Sequence, residues 1–97
     1  MENEVGLFHA KRMFNIVGIG LVVAGDIISG EIIPGDILKI PYGNISTNFE
    51  IDSVEAVDYP EKQSETGLIL KSNAENTGSD IESIIQTNPT LAVVRSI

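Results

Sequence analysis

The sequence predicts an all-β domain, a small barrel or sandwich. The first observation behind this is 15 Ile and 8 Val against 6 Leu. Branching at Cβ suits a pleated surface and stiffens χ1 in a helix, so the ratio favours strands. The second is that 9 Gly and 4 Pro break the chain into short segments. The third is length. At 97 residues the chain is one small domain, able to bury about 65% of its unfolded surface.

In chain order, residues 5–10 read as a short first strand, with residues 1–5 frayed ahead of a barrel that occupies about 6–97. Met13–Val17 and Leu21–Ile28 read as two longer strands joined at Gly18-Ile19-Gly20, where either glycine takes a positive φ without steric cost. Gly25 and Gly30 are read as further structural turn positions. Ile33-Pro34-Gly35-Asp36 fits a type II turn, Pro presetting φ at the second position and Gly taking positive φ at the third. Asp36 closes that turn, where a carboxylate commonly accepts from a backbone N–H. Ile37–Ile40 returns as a strand ending at Pro41.

Thr47–Val57 is a strand whose apolar parity changes, from Phe49 and Ile51 to Val54 and Ala56. A change of face needs one extra residue, so a β-bulge is expected near Ser53. Tyr59–Thr66 reads as a polar loop, Gly67–Leu70 as a strand and Ser72–Gly78 as a second loop. Ser79-Asp80-Ile81-Glu82 matches a capping box, with Ile81, Ile84 and Ile85 at helical spacing. One short helical turn near 79–86 follows, ending before Pro89, and Leu91–Val94 closes the chain as a strand. No repeat or low-complexity linker divides it.

Composition excludes several classes of function. Without Cys there is no disulfide framework, no Cys-based zinc site and no thiol nucleophile. One His cannot build a multi-histidine metal site. Six basic against 14 acidic residues give −8, the wrong sign for holding nucleic acid through its phosphates. The charge is concentrated, since residues 50–82 hold nine acids and two lysines. Lys11-Arg12 followed by the apolar run Met13–Gly25 imitates a signal peptide. The run is Val/Ile/Gly-rich and too short for a hydrocarbon core of about 30 Å, so a cytoplasmic protein with no membrane association is expected.

Motifs for chemistry are weak. Gly25 and Gly30 stand at phosphate-loop spacing, but Glu31 occupies the place of the essential lysine, where a carboxylate repels phosphate. Gly18-Ile19-Gly20 begins a dinucleotide fingerprint whose third glycine is Val23. Asp52, Glu55 and Asp58 would converge on a helix but scatter on a strand. His9 has no assignable partner, and Asn44-Ile45-Ser46 is a sequon that stays idle in the cytoplasm. The residues point to no catalysis and to no cofactor or metal.

One segment carries a resemblance. Phe14-Asn15-Ile16-Val17-Gly18-Ile19-Gly20-Leu21-Val22-Val23-Ala24-Gly25, then Ile27, Ser29-Gly30, Ile32, Pro34-Gly35-Asp36, Leu38 and Ile40, resembles the second domain of translational GTPases of the elongation factor Tu kind. Ile51–Glu55, Gly67–Leu70 and Asp80–Glu82 resemble later parts of that domain. The resemblance covers roughly residues 8–97 and implies a six-stranded antiparallel β-barrel of the translation-factor type. Against that family, Lys11 and Arg12 stand where an acidic pair helps hold the aminoacylated RNA end. Ile19 stands where Arg is frequent between the two glycines, and Asp26 where a basic residue commonly follows the next Gly.

The expectation is therefore a stand-alone, non-catalytic barrel that binds another protein, a ribosomal protein or a GTPase among the candidates. Lys11, Arg12, Ile19 and Asp26 are its candidate contact residues, with the Gly18–Gly20 and Pro34–Gly35 turns. Two alternatives are an RNA-binding module associated with the ribosome or tRNA, and a homo-oligomer that pairs through open strand edges.

Overall fold

The computed structural model describes residues 2–42, 45–71 and 85–96. Six strands form in order: β1 Glu2–Ile16, β2 Gly20–Gly30, β3 Ile37–Tyr42, β4 Ile45–Tyr59, β5 Lys62–Leu70 and β6 Thr90–Ser96. They close into an antiparallel barrel with the order β1-β2-β5-β4-β3-β6. β3, β4 and β5 are successive neighbours and β6 returns beside β3, a Greek-key arrangement. The all-β class and the antiparallel ring agree with the sequence reading.

Inward positions alternate with outward ones along β3 and much of β1 and β4, and the inward set fills the interior. Phe8, Leu38, Ile40, Ile51, Leu68 and Val93 have no exposure at all. β-branched residues and Leu share the packing inside, with Phe8 and Phe49 among them. A six-stranded ring is narrow enough for side chains to fill it, and the buried side chains among the described residues form one core cluster.

Several local features differ from the sequence reading. The two segments 5–10 and 13–17 are one strand, and β1 starts at Glu2, which pairs with Ser96 of β6 instead of fraying. Lys11-Arg12 does not interrupt β1, because a bulge between Ala10 and Arg12 absorbs it. Residues 59–66 are not a loop: Pro60 and Glu61 turn the chain between Tyr59 and Lys62, and Lys62–Thr66 belong to β5. No aliphatic side chain marks that half of β5, so its strand character was hidden. Gly25 is not a turn. It lies inside β2 opposite the β1 bulge, where a Cβ would stand 1.9 Å from the His9 carbonyl oxygen. β3 passes through Pro41 to Tyr42. Its pairing with β6 runs only over Ile37–Lys39, so at Pro41 one edge needs no donor.

Other features lie where the residues place them. Gly18 (φ +86) turns the chain between β1 and β2, and Ile19 N–H donates to the Ile16 carbonyl at 3.0 Å. Gly35 (φ +96) takes the third position of the Pro34 turn, with Asp36 N–H on the Ile33 carbonyl at 3.1 Å. The register of β4 against β5 shifts between Ile51 and Ser53, which is the expected bulge. Residues 85–87 are helical and Ile85 joins the core. The rest of the expected helical turn, the 72–78 loop and Asn44 lie outside the described residues. Among the described residues no helix is long and apolar enough to cross a membrane.

Candidate interaction surface

The β1 bulge builds the most polar site. Ala10 faces the core and Met13 packs against it, so the two residues between them both turn outward. A regular strand would have sent one of each neighbouring pair inward. Lys11 and Arg12 are therefore presented side by side over β2 and β5.

Neither cation is free. Lys11 Nζ lies 2.7 Å from Asp26 Oδ2. Arg12 clamps Glu65 with two parallel bonds, Nε to Oε1 at 2.9 Å and Nη2 to Oε2 at 3.0 Å. The Tyr59 hydroxyl donates to the same Glu65 Oε1 at 2.6 Å, and the guanidinium carbon sits 5.2 Å from the Tyr59 ring centroid. Glu65 is only 7% exposed, buried by the groups that neutralise it. This network joins β1, β4 and β5 on the outside of the barrel.

The electrostatics follow the geometry. Asp26 raises the Lys11 pKa, and Glu65 raises that of Arg12, so both stay charged. Burial, then the bond to Glu65, pushes the Tyr59 phenol up. An open groove of about 380 Å³ runs past Lys11, Arg12, Asp26, Gln63, Ser64 and Glu65. Two cations face two carboxylates there, so it is formally neutral and has no surplus charge for a phosphate. Lys11, Arg12 and Asp26 thus come together, while Ile19 does not join them.

Ile19 stands instead at the β1–β2 hairpin tip, seven positions beyond Arg12. Val17 is 100% exposed there, Ile19 55% and Ile16 40%. No charged residue occurs between Met13 and Gly25. Isolated surface aliphatics are ordinary, but three on one turn form a contiguous apolar knob.

Asp36 serves the fold. It is 1% exposed and takes a bidentate clamp from Arg95, 2.7 Å to Oδ1 and 3.0 Å to Oδ2. The Ile33 N–H adds a third bond at 2.9 Å. Arg95, followed by the Ile33 bond, holds the Asp36 carboxyl below its usual range despite burial. The turn carboxylate was legible in the sequence; its Arg95 partner, 59 residues away, had no local signal. Gly30 (φ +77) ends β2 where a Cβ would stand 2.0 Å from the Val5 carbonyl oxygen.

Asp52, Glu55, Asp58 and Glu61 are exposed along β4 and its turn. Among the described residues no three His, Asp or Glu side chains gather as a metal site. Compared with known proteins, the chain matches no family model, no curated protein and no solved structure.

Proposed function

We propose that this chain is a non-catalytic β-barrel module of the cytoplasm that binds another protein, with the β1–β2 tip as its main contact. The observation that carries the reading is the uncharged knob of Ile16, Val17 and Ile19, whose outermost residue is fully exposed. Exposed aliphatics on a rigid hairpin suit insertion into an apolar cleft of a partner, where a few anchors supply most of the binding energy. The filled interior and the formally neutral groove support surface recognition over small-molecule chemistry. The translation-factor resemblance of residues 14–40 spans this hairpin and fits a contact module, while the pairing of Lys11 and Arg12 weighs against RNA.

The test is a pull-down from native lysate with the tagged 97-residue chain, read by mass spectrometry and RNA quantification, alongside Val17→Asp. Val17 touches no core residue, so the variant keeps its fold. Capture of a protein, free of RNA, that Val17→Asp abolishes is the expected result. Capture that is indifferent to Val17, or recovery of RNA alone, overturns the reading.

A further inference from the structure

The barrel wall has a parting that its closed topology conceals. β2 pairs with β1 along its whole length, but with β5 only over Leu21–Gly25. Beyond the Gly25–Thr66 pair, β5 continues to Lys62 against β4, while β2 continues to Gly30 against β1. The two strands diverge, and the groove of Asp26, Gln63, Ser64 and Glu65 opens between them. Over Asp26–Gly30, β2 is thus an edge strand, with no described strand on the side away from β1.

Exposure supports this. A strand within a wall buries at least one face, and Leu21–Gly25 are all buried. The next five residues, Asp26–Gly30, are all exposed. They include Ile27 at 37% and Ile28 at 53%. Five residues at 3.3 Å each make an edge of about 16 Å, enough for a short added strand. An unpaired edge is a template for another chain, and strand addition is a recurring way to bind extended peptides.

We infer that the β2 edge, Asp26–Gly30, takes an extended segment of a protein partner by strand addition, the segment carrying aliphatic residues flanked by basic ones. The inference rests on the protein-binding reading but uses a different surface from the tip. The aliphatic requirement follows from Ile27 and Ile28. The basic requirement follows from Glu31 at one end of the edge and from the chain's net −8, since Asp26 at the other end is already paired with Lys11. A second copy fits worse, since it would set two such bodies edge to edge, within the screening length of about 8 Å. The bulge that leaves Ile28 unpaired between Leu7 and Phe8 twists the edge, which opposes long flat self-pairing but admits a short strand.

The experiment is an amide NMR titration of the whole chain with a capped peptide, Lys-Val-Thr-Val-Thr-Lys, at millimolar concentration. Two control peptides replace both Lys by Glu, or the inner Val by Pro. The expected result is shifts and about 10-fold added exchange protection confined to amides in Asp26–Gly30 and their β1 neighbours. The Glu peptide binds more weakly, the Pro peptide does not bind, and Ile28→Lys removes the response. Protection elsewhere, equal binding of the Glu peptide, or no binding overturns the inference. So does an edge already protected in a chain that sediments as a dimer. The two readings fail separately: lysate capture that needs Val17 but ignores Ile28→Lys refutes the edge and leaves the tip standing.

Discussion

Gly25→Ala tests the bulge on which the groove depends. The backbone at Gly25 has no positive φ, so alanine is conformationally acceptable and the cost is purely steric. Its Cβ would sit 1.9 Å from the His9 carbonyl oxygen, 2.9 Å from that carbonyl carbon and 3.1 Å from Ala10 Cα. A carbon meets a carbonyl oxygen comfortably at about 3.3 Å, so β1 must withdraw by roughly 1.4 Å. All three opposing atoms are backbone, and none can swing aside as a side-chain tip would. Overpacking of this kind costs about 3 kcal/mol or more, less the roughly 0.4–1 kcal/mol gained by restricting the unfolded chain. A net loss of about 2–3 kcal/mol lowers Tm by about 10–20 °C in a domain of this size. Gly18→Ala is the control, because Gly18 has φ +86 but nothing within 4 Å of a Cβ. It carries only the left-handed penalty of about 1–2 kcal/mol, offset by the same unfolded-state gain. Thermal and urea unfolding followed by circular dichroism measures both variants. If Gly25→Ala is as stable as Gly18→Ala, the strands do not approach as described and the argument for the paired outward cations fails.

Two further predictions concern the buried carboxylates. Asp36→Asn removes the charge that Arg95 clamps, and should cost about 2–3 kcal/mol at neutral pH. Because the folded pKa of Asp36 lies below its unfolded value of 3.8, its contribution is fully present above that value. It is lost as pH falls through the folded pKa, so the variant should lose stability at neutral pH and show a flatter acid limb in unfolding measured from pH 6 downward. An unchanged acid limb would refute the pairing. Glu65→Gln should lower the titration midpoint of Tyr59 toward 10.0 without reaching it, since burial is the larger cause of its elevation. Ultraviolet difference titration, with Tyr42 as the only other tyrosine, reads this directly; an upward move would contradict the hydrogen bond.

The parts of the fold legible in the sequence are those governed by local chemistry. Pro34-Gly35 required a turn, and the parity change between Ile51 and Val54 required an extra residue. The bulge at Lys11 was not legible, because two adjacent cations look like a break in an apolar pattern. The polar half of β5 was missed for a related reason. Glu65 is buried by Arg12 and Tyr59, which come from other strands, so its own neighbours carry no hint. Of the candidate residues, Lys11, Arg12 and Asp26 meet in one groove while Ile19 stands alone at the tip.

By itself, the sequence determined the all-β class, most of the strand order along the chain and the glycine-bearing turns. These follow from side-chain branching and backbone sterics, which act within a few residues. Only the tertiary structure decided that Lys11 and Arg12 are neutralised, that Asp36 is clamped from β6, and that β2 parts from β5 at Gly25. Those outcomes depend on register between strands far apart in the chain, and a shift of one residue would turn each side chain to the opposite face.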